Sequence, residues 1–185
     1  MRVILASKSP RRKELLGKIF SDFEIIVSEV DEDLDDGIDI VSGVEILAIR
    51  KGAKVAEDNR DALVISSDTL VELDGKALGK PKDERDARTM LKSLSGRAHN
   101  VHTGVAVHYK GKTFSGVATS TVYFKNLTDD EIDAYVESGE PMDKAGAYGI
   151  QGEAGKFVLR YVGDFDTIVG LSLRLTKELI EKATK

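Results

Sequence analysis

Apolar and polar positions alternate with two different periods along this chain, and the switches between them mark out its elements. The first apolar run, Val3 to Ala6, is short and continuous, as in a buried strand. From Pro10 to Phe20 the apolar residues Leu15, Leu16 and Ile19 recur at helical spacing, so a helix follows at once. Phe23 to Val27 reads as a second strand. Val44 to Glu57 reads as a second helix, with Val44, Leu47, Ala48 and Val55 on one side and Arg50, Lys51 and Lys54 towards the other. Ala62 to Ser67 is a strongly apolar strand ending in Ser66-Ser-Asp-Thr69, and Leu70 to Leu73 continues into an Asp74-Gly75 turn, a hairpin signal.

In the second half, Asp83 to Leu94 is expected as a third helix, with Asp83 as N-cap and Ala87, Met90, Leu91 and Leu94 forming its apolar stripe. Val101 to Tyr109 and Thr113 to Phe124 are two long strands joined through Lys110-Gly-Lys112, an antiparallel pair. Thr128-Asp-Asp-Glu131 is a capping box for a short helix that stops at Gly139. A glycine-rich loop from Gly146 to Gly163 is broken by a strand, Phe157 to Val162, and a helix from about Leu171 to Lys182 closes the chain. Strands alternating with helices, plus a hairpin, predict an α/β fold with a mixed, twisted sheet flanked by helices. With no repeat, linker or low-complexity segment, residues 1–185 are expected to form a single domain.

Composition narrows the functional classes. The absence of cysteine excludes disulfides, thiolate metal sites and a cysteine nucleophile. The N-terminal apolar run is too short for a secretory signal, and no stretch approaches the ~18 apolar residues of a membrane span, so a cytoplasmic protein without membrane contact is expected. A net charge of −5 argues against nucleic acid as a partner, because duplex binding rests on a basic face that neutralises many phosphates. A small anionic ligand needs only a local basic site.

Such a site is suggested by Ser7-Lys-Ser-Pro-Arg-Arg12. Ser9 reads as N-cap and Pro10 as the first helical residue, which puts Arg11 and Arg12 in the first turn, where free amide N–H groups already carry partial positive charge. Stability alone would favour Asp or Glu there. Either the two arginines extend into water, or they and the serine hydroxyls hold an anion such as a phosphate. Asp68, where an apolar strand is expected to meet a loop, is the best candidate for a catalytic carboxylate; the alternative is a turn-former bonded to its own backbone. In Glu29-Val-Asp-Glu-Asp-Leu-Asp-Asp36, six of eight residues are acidic, which reads as a solvated loop or as a source of one metal-binding carboxylate.

Gly79-Lys-Pro81 constrains the backbone around Lys80. Gly146-Ala-Tyr-Gly-Ile-Gln-Gly152 permits close backbone approach, with Tyr148 able to pack on a ring and Gln151 able to pair with a base edge. His99, His102 and His108 are spaced against a shared metal, no Walker loop ending in Gly-Lys-Ser/Thr is present, and no Gly-x-Ser-x-Gly elbow occurs.

Leu5-Ala-Ser-Lys-Ser-Pro-Arg-Arg12, Ser67-Asp-Thr69, Gly79-Lys-Pro81, Leu94-Ser-Gly96, Asp143-Lys-Ala-Gly-Ala-Tyr-Gly-Ile-Gln-Gly152 and Val169-Gly-Leu171, in this order, closely resemble the Maf family of nucleoside triphosphate pyrophosphatases. The resemblance implies an elongated, two-lobed α/β fold related to the inosine triphosphate pyrophosphatases, a homodimer, and a nucleoside triphosphate substrate. It implies water attack at the α-phosphorus, giving nucleoside monophosphate and pyrophosphate, assisted by a divalent cation, Mg²⁺ or Mn²⁺. Carried over to this chain, Asp68 matches the proton acceptor and Glu32 the second carboxylate near the metal. Ser7, Arg12 and Lys80 match phosphate contacts, with Ser9 in the same loop, and Arg11, Thr69 and Gln151 match positions of base selection. Arg11, where the branch acting on 7-methylguanosine triphosphate has Trp, resembles the branch acting on dTTP and UTP. The chain departs from the family's usual pattern at Ser172, where Pro is common, and around Asp166-Thr167. A second reading of the same loops is a nucleotide-binding regulatory module in cell division, and a third is a phosphatase releasing one phosphate at a time.

Overall fold

Three apolar residues, Val3–Leu5, form the first strand (β1) of the computed structural model, which describes residues 1–185. Helix α1 (Pro10–Leu16) follows, then β2 (Glu24–Ile25), α2 (Ile40–Asp58), β3 (Leu63–Leu73), β4 (Lys76–Leu78), α3 (Glu84–Leu94), β5 (Ala98–Tyr109), β6 (Lys112–Phe124), α4 (Asp129–Glu137), β7 (Val158–Val162), α5 (Phe165–Val169) and α6 (Leu173–Thr184). Three short 3₁₀ segments lie between α4 and β7. The sheet has seven strands in the order β2-β1-β3-β5-β6-β7, with β4 paired to β3. β1 is parallel to β2 and β3, whereas β3/β4 and β6/β7 are antiparallel, so the sheet is mixed, as expected.

The chain divides into two compact units. The first comprises residues 1–69, 103–118 and 170–185, the second residues 70–102 and 119–169; β3, β5 and β6 each pass from one unit to the other. In the first unit α2 packs against β1 and β3, where Ile4, Ala6, Val55, Ala62 and Val64 form a buried cluster. Close approach is required here. A Cβ on Gly104 of β5 would lie 2.5 Å from the Val44 carbonyl oxygen, and one on Gly52 would lie 2.5 Å from both Ser66 Oγ and His108 Nε2. In the second unit α3, α4 and the 3₁₀ segments cover a core of Leu91, Leu94, Phe124, Tyr135, Tyr148 and Phe157, among others.

Helix starts follow local capping chemistry. Asp83 caps α3 by accepting from the Asp86 N–H at 2.7 Å, and Thr128 with Glu131 forms the expected reciprocal capping box. α2 begins earlier than Val44, because Asp39 accepts from the Ser42 N–H at 2.9 Å and starts the helix at Ile40. Ser172 is the N-cap of α6, so the departure from Pro supplies a cap in place of a ring. Asp74 (φ 52°) and Gly75 (φ 74°) turn β3 into β4, and Lys110 (φ 48°) and Gly111 (φ 74°) turn β5 into β6; paired positive φ values are what a two-residue hairpin requires.

The expected end of β3 at Ser67 is not observed. The strand runs unbroken from Leu63 to Leu73 because its polar residues find partners in the sheet and on the helix. Ser66 Oγ donates to the Ala48 carbonyl at 2.6 Å, and Ser67 Oγ reaches the carbonyls of Gly104 at 2.8 Å and Gly170 at 3.0 Å. Asp68 is therefore a mid-strand residue and not the start of a loop. Two expected elements are also shorter: α1 ends at Leu16, not Phe20, and β2 covers only Glu24–Ile25.

Candidate active site

The first unit brings together most of the residues singled out from the sequence. Ser9 is the N-cap of α1, with Pro10 at the first helical position and no acidic residue in the first turn. Its hydroxyl lies 3.5 Å from the Arg12 N–H, a long cap, and the Ser9 N–H donates to Ser7 Oγ at 3.2 Å. Arg12 does not extend into water. Its Nε–H donates to the Gly170 carbonyl at 2.8 Å, Nη2 to Thr69 Oγ1 at 3.1 Å, and Nη1 approaches Ser7 Oγ at 3.5 Å. An unfavourable helix-dipole position costs about 0.3–1 kcal/mol. Hydrogen bonds from a charged donor contribute about 1.5–3 kcal/mol each, so the folded-back conformation wins.

Gly170 has φ of +132°, and this backbone turn presents its carbonyl to both Arg12 and Ser67. Thr69 Oγ1 is also 3.0 Å from Thr103 Oγ1, which links β3 to β5 beside the guanidinium. Burial pulls the Arg12 guanidinium below its ordinary range; Asp68 opposes this, Arg11 adds to it and Glu32 opposes it. The arginine stays charged at neutral pH, because a guanidinium holds its proton far above that range even when burial weakens it.

A second constellation gathers on Lys51. The ammonium of this α2 residue donates to Asp68 Oδ1 and lies 2.9 Å from Glu32 Oε1. The two carboxylates differ in surroundings: the Asp68 side chain is 11% exposed and that of Glu32 is 64% exposed. One is held dry and rigid in a strand, the other is open to water. The acidic loop that carries Glu32 is anchored, in contrast to a freely solvated segment. Arg50 donates to the carbonyl of Asp33 at 2.5 Å and of Asp31 at 3.3 Å, so adjacent residues of α2 grip its backbone and its carboxylate.

Lys51 was not among the residues singled out for chemistry, because a lysine on the polar side of an amphipathic helix reads as solvated. The signal lay beside it. A glycine in a helix interior is unfavourable by about 1 kcal/mol relative to Ala, and Gly52 is tolerated because it lets α2 lie against Ser66 and His108. That approach carries Lys51 within reach of Asp68.

Lys80 and Gln151 belong to the second unit, and both are exposed. Lys80 follows β4 in a turn whose Gly79 carbonyl accepts the Gly146 N–H at 3.1 Å, so the two glycine-bearing loops are joined. Gln151 sits in a turn closed by the Gly152 N–H donating to the Gly149 carbonyl at 3.1 Å. Tyr148 is 6% exposed and packs edge-on against His99 and Phe124, so it is a core residue and not a platform for a ligand ring. All three histidines are buried, and no group of three or more His, Asp and Glu side chains gathers as a metal cage. No helix is long and apolar enough to cross a membrane.

Residues 2–183 match the family model described as Maf-like protein. A dTTP/UTP pyrophosphatase of Bacillus cereus (strain AH820) is 49% identical over 179 residues, covering 96% of this chain and 94% of the relative. The same values hold for a dTTP/UTP pyrophosphatase of Bacillus thuringiensis subsp. konkukian (strain 97-27), and one from Bacillus anthracis is 48% identical. Among solved structures, the Staphylococcus aureus Ham1 protein aligns with a TM-score of 0.50 and 18% identity over 100% of this chain and 94% of that one, a likeness of fold alone.

Proposed function

The chain belongs to the Maf family, and from that premise we propose that it is a nucleoside triphosphate pyrophosphatase acting on dTTP and UTP. The observation that carries this reading is the Lys51 ammonium holding Asp68 and Glu32 in the same unit as the Arg12, Ser7 and Thr69 cluster. Fixed cations and hydroxyls suit the phosphates of a nucleotide. A nearby dry carboxylate suits activation of water.

In the proposed reaction a water oxygen bonds to the α-phosphorus and the bond from that phosphorus to the α,β-bridging oxygen breaks. Asp68 accepts the proton of the attacking water, and Lys51 orients the Asp68 carboxylate through their hydrogen bond. Arg12, with Ser7 and Ser9, holds phosphate oxygens and stabilises the negative charge that develops on the departing pyrophosphate. Lys80 has the same role by family resemblance, and Arg11, Thr69 and Gln151 select the base.

A divalent cation, Mg²⁺ or Mn²⁺, fits the donor set. Two carboxylates already converge on one positive charge, and hard oxygen ligands of this kind, completed by phosphate oxygens and water, are what such ions take. Asp68 and Glu32 would hold it, and when bound it supplies neutralisation of phosphate charge and a lowered pKa for water. The family resemblance further supports a homodimer in the cytoplasm, with residues 1–185 acting as one functional domain.

Product identity tests the proposal. Incubation with dTTP, UTP, CTP, ATP, ITP and 7-methylguanosine triphosphate in the presence of Mg²⁺ is expected to give monophosphate and pyrophosphate, fastest from dTTP and UTP. Diphosphate with inorganic phosphate would identify a stepwise phosphatase, and binding without turnover a regulatory module.

A further inference from the structure

The turn that carries Gln151 is held at both ends by one hydrogen-bonded circuit. At its entry, the Gly149 N–H donates to the Tyr135 hydroxyl oxygen at 3.2 Å, and that hydroxyl donates to Glu140 Oε1 at 3.0 Å. At its exit, the Glu153 N–H reaches Glu140 Oε2 at 3.4 Å. One carboxylate thus spans both ends of the Gly149–Gly152 turn. A Cβ on Gly152 would fall 1.9 Å from Glu140 Oε1, and one on Gly149 would fall 2.7 Å from Lys144 Cε, so a side chain at either glycine would displace the group that holds the turn. Lys144 in turn donates to the Glu140 carbonyl at 2.7 Å, which fixes the backbone that presents the carboxylate.

Within the turn, Ile150 packs against the core of the second unit, while Gln151 is exposed. The backbone is anchored before, within and after the turn, and Gln151 is the side chain these anchors leave outward. Tyr135 is 1% exposed, so its hydroxyl is a fixed relay between the Gly149 amide and the carboxylate. Helix α4, which bears Tyr135, ends at Glu137, and the left-handed Gly139 (φ 77°) redirects the chain to bring Glu140 back beneath the tyrosine.

We propose that Glu140 is a positioning residue for base selection, acting through the Tyr135 hydroxyl and the Gly149–Gly152 turn to hold Gln151 in one orientation. The proposal rests on the pyrophosphatase reading and on the base-selecting role of Gln151. A hydrogen-bonding side chain discriminates between bases only when its donor and acceptor are held in place, because a turn free to shift lets the amide follow either pattern of base edge. Asp68, Lys51 and Arg12, the residues proposed to bind and hydrolyse the triphosphate, are not members of this circuit.

The test is kcat and KM for dTTP, UTP and CTP with Mg²⁺, measured on the unaltered protein, Gln151→Ala, Glu140→Ala, Tyr135→Phe and the Glu140→Ala/Gln151→Ala double variant. Tyr135→Phe removes only the hydroxyl and keeps the ring in the core. The preference for dTTP over CTP in kcat/KM is expected to fall about tenfold in each single variant, through KM, and the double variant to match Gln151→Ala alone. Glu140→Gln, which keeps an acceptor for Tyr135, is expected to recover part of the preference. Unchanged preference in Glu140→Ala and Tyr135→Phe, equal losses on all three nucleotides, or additive effects in the double variant would overturn the proposal. Failure of the underlying reading has a separate signature: no pyrophosphate from the unaltered protein, or Gln151→Ala with full discrimination, removes the premise and the proposal with it.

Discussion

Lys51 on the long helix α2 donates its ammonium proton to the Asp68 carboxylate in the middle of β3. The same nitrogen lies 2.9 Å from Glu32, so one cation orders two carboxylates from different parts of the chain. Between unit charges about 4 Å apart, an effective dielectric near 20 gives roughly 4 kcal/mol of interaction on the buried Asp68 side. Water screens the exposed Glu32 pair to about 1 kcal/mol or less. Removing the ammonium therefore sets the two carboxylates against each other and frees Asp68 to turn.

Lys51→Met, which keeps the length of the side chain and removes its charge, is expected to lower kcat at least about 100-fold on every nucleotide, the scale of a positioned acid or base. Asp68→Asn is expected to do the same while nucleotide binding persists. Steady-state kinetics with dTTP, together with a binding isotherm for a non-hydrolysable analogue, check both. Wild-type turnover in either variant would remove that residue from the mechanism.

Arg12 and Arg11 are neighbours in sequence with separate proposed tasks. Arg12→Ala removes the donors to Gly170, Thr69 and Ser7, and is expected to raise KM about tenfold or more for all bases. Arg12→Lys should not restore binding, because an ammonium cannot reproduce a planar fork. Substitution of Arg11 is expected to change the ranking of nucleotides. Competition assays across the nucleotide panel distinguish the two, and identical profiles would contradict the division of labour.

Legibility of the site followed sequence distance. Ser9, Pro10 and Asp83 could be read because capping is decided within one turn of helix, and the two hairpins because their turns need positive φ at adjacent residues. The length of β3 could not be read. Ser66 and Ser67 look like the end of a strand until Ala48, Gly104 and Gly170 supply carbonyl partners from 18, 37 and 103 residues away. The same holds for Lys51, whose partnership with Asp68 depends on how closely α2 packs at Gly52. Glu140 was hidden for another reason: its role is to hold a glycine turn, and the missing side chains of Gly149 and Gly152 become meaningful only beside Lys144 and that carboxylate.

Stability should depend on pH through His99. Burial lowers its pKa from 6.5 to about 4, and its Nε2 pairs with the Tyr148 hydroxyl at 2.6 Å. The folded protein keeps this imidazole neutral while the unfolded chain takes up a proton below about 6.5. Stability is therefore full above pH 6.5, falls as pH drops towards 4, and levels off below that. The loss amounts to about 3 kcal/mol at 1.36 kcal/mol per pKa unit. Burial shifts His108 in the same direction and adds to the slope. Urea unfolding of the protein and of His99→Gln at pH 7.5 and 5.0 checks this: the variant should lose less stability on acidification, and equal losses would assign the slope elsewhere.

Hydrolysis of dTTP with Mg²⁺ in water enriched in heavy oxygen tests the central claim most directly. Attack at the α-phosphorus predicts one heavy oxygen atom in the monophosphate and none in the pyrophosphate, with the signal lost in Asp68→Asn. Label in pyrophosphate, or release of labelled inorganic phosphate with a nucleoside diphosphate, would contradict the account.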